Sequence, residues 1–111
     1  MKNTGFTVNE TLKKITDDNK ERYTAILENE NIEIGLYAPV KDDLRLPHMK
    51  DEINIAVKGE GIFFNDGKLV AFGPGDLFLV SAGVEHRFEN FADDLIAWYI
   101  FHGAEKGIQN N

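Results

Sequence analysis

From Arg22 to His102 the apolar residues of this chain recur every second position, and turn-forming residues interrupt them about every 8–12 residues. A period of two sends successive side chains to opposite faces of a strand, so the pattern commits most of the chain to short antiparallel strands. RYTAIL and IEIGLY read as the first two, turned by Glu28-Asn29-Glu30-Asn31. Pro39 closes the second, and Pro47 keeps the segment before His48 out of a helix. Between them VKDDLRL, residues 40–46, reads as a polar loop at a rim. Ile53, Ile55 and Val57 then alternate with Glu52, Asn54 and Ala56. Asn65-Asp66-Gly67 is a strong hairpin signal between IFF and LVAF. Gly73-Pro74-Gly75-Asp76 and Ser81-Ala82-Gly83 bracket LFLV, VEHRF follows, and LIAWYIF is the last run. The expectation is an all-β domain of about eight strands, a sandwich or barrel.

Helical spacing occurs over Thr7 to Asp18, where Val8, Leu12 and Ile15 share a face and Thr7 or Asn9 is available as N-cap. The chain therefore divides into a helix and connector over 1–21, a β-barrel over 22–104 and a tail over 105–111. At 111 residues it is one domain with little core to spare. The absence of cysteine excludes disulfides and thiolate chemistry. A net charge of −7 repels nucleic acid and anionic membrane, and the longest apolar run is too short to span a bilayer. The first ten residues lack the layout of a signal peptide, so the expected compartment is the cytoplasm.

The residues with chemistry to offer lie between Pro47 and Asn90. His48 and Glu52 are four apart and share a face if one strand runs through both; His86 has Val84, Phe88 and Asn90 as neighbours of like parity. Two readings stand here. The Glu52 face is solvent and the isoleucine face core, or the reverse. In the second case two imidazoles and a carboxylate form a set that fills one side of a divalent metal's shell and leaves positions open. An apolar stripe of Ile53, Ile55 and Val57 would then need a cover, from the N-terminal strands or a second subunit, which predicts a homodimer. His102, in step with Trp98 and Ile100, is either a further ligand or proton carrier or a surface histidine at a strand end. Tyr37, Asn54, Phe88 and Trp98 are candidate pocket linings, each equally explicable as core.

Glycine spacing favours the second reading. Glu52 precedes Gly59 by six intervening residues, and Gly75 is followed by Gly83, His86 and Asn90 at the intervals G-x7-G-x2-H-x3-N. This resembles the paired motifs of the cupin superfamily, G-x5-H-x-H-x3,4-E-x6-G and G-x5-P-x-G-x2-H-x3-N. The flanking LYAP, PHMKDE and GVEHRFENF segments are similar to those of small single-domain bacterial cupins. The resemblance implies a double-stranded β-helix, or jelly-roll barrel, with a short N-terminal helix here and a metal or ligand inside, often in a dimer. It departs at Leu46, which stands at the first motif histidine, at Val40 for the leading glycine and at Ser81 for the proline. The implied ligand set is thus His48, Glu52 and His86, for Zn, Fe, Mn or Ni, with Leu46 and His102 in the pocket lining. Two functions fit: a metal-dependent enzyme acting on a small molecule, or a non-catalytic small-molecule binding or sensing module without a tightly held metal. No catalytic acid–base pair stands out.

Overall fold

The period-two runs fold into strands, and the glycine turns reverse the chain between them. A computed structural model describes residues 5–43 and 45–103, so the tail expected over 105–111 lies outside the described residues. After a short helix α1 (Val8–Leu12) come β1 (Tyr23–Glu28), β2 (Ile32–Tyr37), β3 (Asp51–Lys58), β4 (Gly61–Asn65), β5 (Lys68–Phe72), β6 (Leu77–Val80), β7 (His86–Glu89) and β8 (Ile96–His102). They form two antiparallel sheets, one in the order β1-β2-β8-β3-β6 and one in the order β5-β4-β7. The two sheets face each other as a jelly roll without one continuous hydrogen-bonded ladder around the barrel. No helix among the described residues is long and apolar enough to cross a membrane.

Local chemistry accounts for the elements. Thr7 caps α1 by accepting the Glu10 amide at 3.1 Å, and its hydroxyl donates back to Glu10 Oε1 at 3.0 Å. The helix is shorter than its spacing predicts. After Leu12 the chain tightens into three-residue turns, Lys14 bonding Thr11 and Ile15 bonding Leu12. The turns still return Ile15 to the face of Val8 and Leu12, and all three pack on Leu36, Ala38 and Ile96. In the β4–β5 hairpin Asp66 and Gly67 both have positive φ, 52° and 84°, as a two-residue turn of the primed type requires.

The core between the sheets is aromatic: Phe63, Phe72 and Phe88 pack with Val80, Leu95, Ala56, Ala97, Tyr37 and Tyr99. On β3 the burial alternates, with Glu52, Asn54 and Ala56 buried and Ile53, Ile55 and Val57 only half-buried. The polar face of β3 thus points into the barrel. The isoleucine face is the outer surface of the large sheet.

Candidate metal centre

Glu52 and Asn54 reach the interior because β3 pairs with β8 and β6, whose inward residues are Phe101, Tyr99, Val80 and Phe78. His48 arrives from the segment leading into β3, and His86 opens β7 in the facing sheet. Their ligand atoms gather within 4.8 Å of one another. His48 Nε2 lies 2.8 Å and His86 Nε2 3.1 Å from the same oxygen, Glu52 Oε1. Phe101 meets the His48 ring edge-on at 4.5 Å, and the two imidazoles are 4.8 Å apart.

The backbone settles which imidazole nitrogen is exposed to the centre. His48 Nδ1 is 2.8 Å from the Lys50 carbonyl and His86 Nδ1 is 3.0 Å from the Val84 carbonyl. A carbonyl only accepts, so each Nδ1 carries the proton and donates. In the neutral ring each Nε2 then presents a lone pair, and both lone pairs face a carboxylate oxygen. His86 Nε2 is buried, and despite its 3.1 Å approach to Oε1 it lacks hydrogen-bond geometry to any described partner. Three acceptors converging at the buried base of a pocket repel one another unless a proton or a cation lies between them. Two backbone-anchored imidazoles and a carboxylate are also a chemically suitable donor set for a divalent transition metal, so the residues fit such an ion. Burial works against ionising Glu52. When a proton lies between an imidazole Nε2 and the carboxylate, that hydrogen bond, together with the Arg45 charge, outweighs burial and holds the carboxyl down at about 2.

Beside this cluster lies a second polar group that the sequence did not single out. Arg45, in the loop before His48, donates from Nη1 to Glu52 Oε2 at 3.2 Å and to Asn54 Oδ1 at 3.4 Å. Its Nε and Nη2 grip Asp43, each at 3.0 Å, and its guanidinium lies 4.4 Å above the Tyr37 ring. Asp43 also accepts the Tyr37 hydroxyl at 2.7 Å and the Phe88 amide at 2.8 Å. Burial alone would raise the Asp43 pKa, but the Arg45 charge and these hydrogen bonds bring it below its ordinary value. Burial and the neighbouring Asp43 charge push Tyr37 well above a normal phenol.

A cleft of about 820 Å³ opens onto the cluster, with Tyr37, Arg45, Leu46, His48, Glu52, Tyr99 and Phe101 among its lining. Of the other expected linings, Asn54 is fully buried behind Arg45 and Phe88 lies in the core 5.4 Å beneath the guanidinium. Trp98 and His102 require correction. On β8 the inward parity belongs to Ala97, Tyr99 and Phe101, so Trp98 pairs across Leu36 and Ile55 on the outer face and packs near α1. His102 shares that outer parity at the strand end, between Ile32 and Asp51. Strand alternation was visible in the sequence; which parity of β8 faced Glu52 was not, because it depends on the cross-strand register. The Asp43-x-Arg45 pair left a fainter signal, two opposite charges two residues apart inside a loop otherwise read as solvated rim.

Comparison with known proteins places these features in a wider group. A family model described as "Cupin domain" matches residues 36–101, which contain all three cluster residues. An uncharacterized protein of Streptomyces coelicolor is 29% identical over 89 residues, covering 78% of this chain and 85% of its own. Among solved structures, an RmlC-like cupin from Shewanella frigidimarina superposes with a TM-score of 0.70 at 19% identity, covering 93% of each chain. A Streptomyces PAC13 variant with uridine superposes with a TM-score of 0.65 at 16% identity, covering 94% of this chain and 84% of that one.

Proposed function

The chain belongs to the cupin family, and from that premise we propose that it binds one divalent transition metal, Zn, Fe, Mn or Ni, on His48, Glu52 and His86 and acts on a small molecule in the cleft beside it. The observation that carries this reading is the buried His86 Nε2, a lone-pair donor with no hydrogen-bond partner among the described residues, facing Glu52 Oε1 and His48 Nε2. When bound, the ion supplies Lewis acidity toward an oxygen atom of the substrate. The protein's own part is positional. The Lys50 and Val84 carbonyls fix both imidazole tautomers, Arg45 holds the far oxygen of Glu52, and Phe101 and Tyr99 wall the site with apolar rings. Uridine in the Streptomyces PAC13 structure supports a small-molecule ligand, and three protein ligands that leave open positions on the ion are compatible with dioxygenase- or isomerase-like chemistry.

We further place the protein in the cytoplasm, in keeping with a chain that has no cysteine, and infer a homodimer, supported by the outer face of the large sheet. There Leu77 and Leu79 are 53% and 67% exposed beside half-buried Ile53, Ile55 and Ile100.

A non-catalytic binding or sensing role without a tightly held metal is the second reading, favoured by Leu46 at the position of a motif histidine. Elemental analysis of protein purified without chelator separates the two. The first predicts about one transition-metal ion per chain and its loss in His86→Ala, since a divalent ion left with two ligands is held far more weakly. Metal-free protein whose ion uptake is the same in His86→Ala would leave the second reading.

A further inference from the structure

The side of the centre where the motif calls for a fourth ligand is not empty. Leu46, at the motif position, stands 79% exposed, whereas the side chain of its neighbour Arg45 is only 19% exposed and turns inward onto Glu52. We propose that Arg45 is the positioning residue of this centre: it occupies Oε2 of Glu52, confines that carboxylate to ligation through Oε1, and gives the loaded site a net positive charge that selects an anionic oxygen ligand. The inference rests on the metal-binding reading above.

Two features distinguish this arginine from a surface side chain that happens to reach a carboxylate. First, it is built in. Asp43 holds Nε and Nη2, the Tyr37 hydroxyl and the Phe88 amide hold Asp43, and the guanidinium carbon lies 4.4 Å over the Tyr37 ring and 5.4 Å over that of Phe88. A planar fork clamped on one edge presents its remaining Nη1 in a fixed direction, which a lysine in the same place would not do. Second, the two oxygens of Glu52 are divided. Both imidazole Nε2 atoms face Oε1, while Nη1 takes Oε2 at 3.2 Å. An ion held by the two imidazoles would have Oε1 within reach, while Oε2 is already engaged by Arg45. Such hydrogen-bonded partners of a ligand orient it and tune the metal.

Charge supplies the ligand class. Asp43, Arg45 and Glu52, with both histidines neutral, leave one net negative charge, which a divalent ion converts to one net positive charge. Rings of Tyr37, Phe88, Phe101 and Tyr99 surround it, so the imbalance is screened far less than at the surface. A small oxygen anion, a carboxylate or an enolate, neutralises the site. Arg22 and Lys41 stand in the cleft wall on the approach, alongside Glu33 and Asp42, in a chain whose overall charge is −7.

The test loads the full chain with Co2+, reads binding from the visible spectrum, and compares acetate with its neutral analogue acetamide. In Arg45→Gln, removing one positive charge near the ion should tighten Co2+ binding about tenfold and reduce the acetate-over-acetamide preference about tenfold. Arg45→Lys, which keeps the charge, should keep the preference. An Arg45→Gln protein with wild-type Co2+ affinity and wild-type preference overturns the proposal. A crystal structure of Co2+-loaded wild type gives a readout independent of whether the variants fold: Glu52 should bind through Oε1 alone with Arg45 still on Oε2. Bidentate Glu52, or Arg45 swung away, overturns the proposal while leaving metal binding intact. Wild type that takes up no Co2+ overturns both readings.

Discussion

Asp43 sits in a loop and is nonetheless buried, with Tyr37, Arg45 and the Phe88 amide converging on its two oxygens. It neutralises Arg45, and Arg45 in turn reaches Glu52, so one loop carboxylate orients a side chain two steps away. Removing its charge while keeping its shape leaves a buried guanidinium without its main counter-ion. Asp43→Asn should therefore lose about 3–5 kcal/mol of unfolding free energy in urea denaturation, the range for breaking a buried ion pair from one side. A loss within the scatter of surface substitutions, about 0.5 kcal/mol, would show that the loop is not tied down in this way. The same residue sets an acid limit. Its folded pKa lies below the unfolded value, so the stability it contributes is complete above the unfolded pKa of about 4 and is lost as pH falls through the folded pKa. Glu52 acts in the same direction, its own share being lost between its ordinary 4.5 and the folded value of about 2. Thermal melts of chelator-treated protein should fall progressively between pH 4.5 and 2, and Asp43→Asn should flatten that decline. An equal slope in both proteins would contradict the assignment to Asp43.

At the scale of elements, the strands were legible and their facing was not. LFLV and IEIGLY match β6 and β2 residue for residue, and the NDG hairpin stands where its turn chemistry predicts. Alternation on β3 was equally plain, but alternation alone assigns two faces without saying which is inside. Hydrophobicity points the wrong way there, since the apolar Ile53, Ile55 and Val57 face outward and Glu52 and Asn54 inward. The resemblance of the glycine spacing to the cupin motifs decided that case; on β8 no comparable marker existed, because aromatic residues occupy both parities, Trp98 on one and Tyr99 and Phe101 on the other. Gly35 on β2 is a further consequence of register. It pairs with Tyr99, whose phenol lies over it and donates to Glu33 at 2.7 Å, and a Cβ at residue 35 would collide with that ring and with the Thr24 carbonyl. Gly35→Ala should cost about 1–3 kcal/mol by forcing the ring and β1 apart, the usual price of overpacking. Because Tyr99 lines the cleft, the displaced ring should also alter near-ultraviolet circular dichroism. A stable variant with an unchanged aromatic signal would mean that β1 and Tyr99 yield freely.

The whole molecule has an outer surface that its own helix does not finish covering. α1 has five residues and is about 7–8 Å long, whereas five strands at about 4.8 Å spacing span roughly 19 Å. The helix and its turns cover Leu36, Ala38 and Ile96, and Val57 and Trp98 border that patch. Beyond it the rows Leu79-Ile53-Ile100-Ile34 and Leu77-Ile55-Trp98 continue toward the β6 edge with no described element over them. A row of leucines on an open edge strand is an aggregation hazard for a monomer and an interface for a dimer. Burying Leu77 and Leu79 against a twofold-related copy places each row beside its own counterpart, as a self-complementary interface demands. Sedimentation should accordingly find a dimer for the wild type at micromolar concentration. Leu79→Glu, which sets two carboxylates against each other across the twofold axis, should shift the equilibrium to monomer while the metal content per chain stays unchanged, because Leu79 lies on the face opposite the centre. A wild type that sediments as a monomer at those concentrations, or a Leu79→Glu dimer as tight as the wild type, would mean that the partner lies elsewhere or that the face is left to solvent.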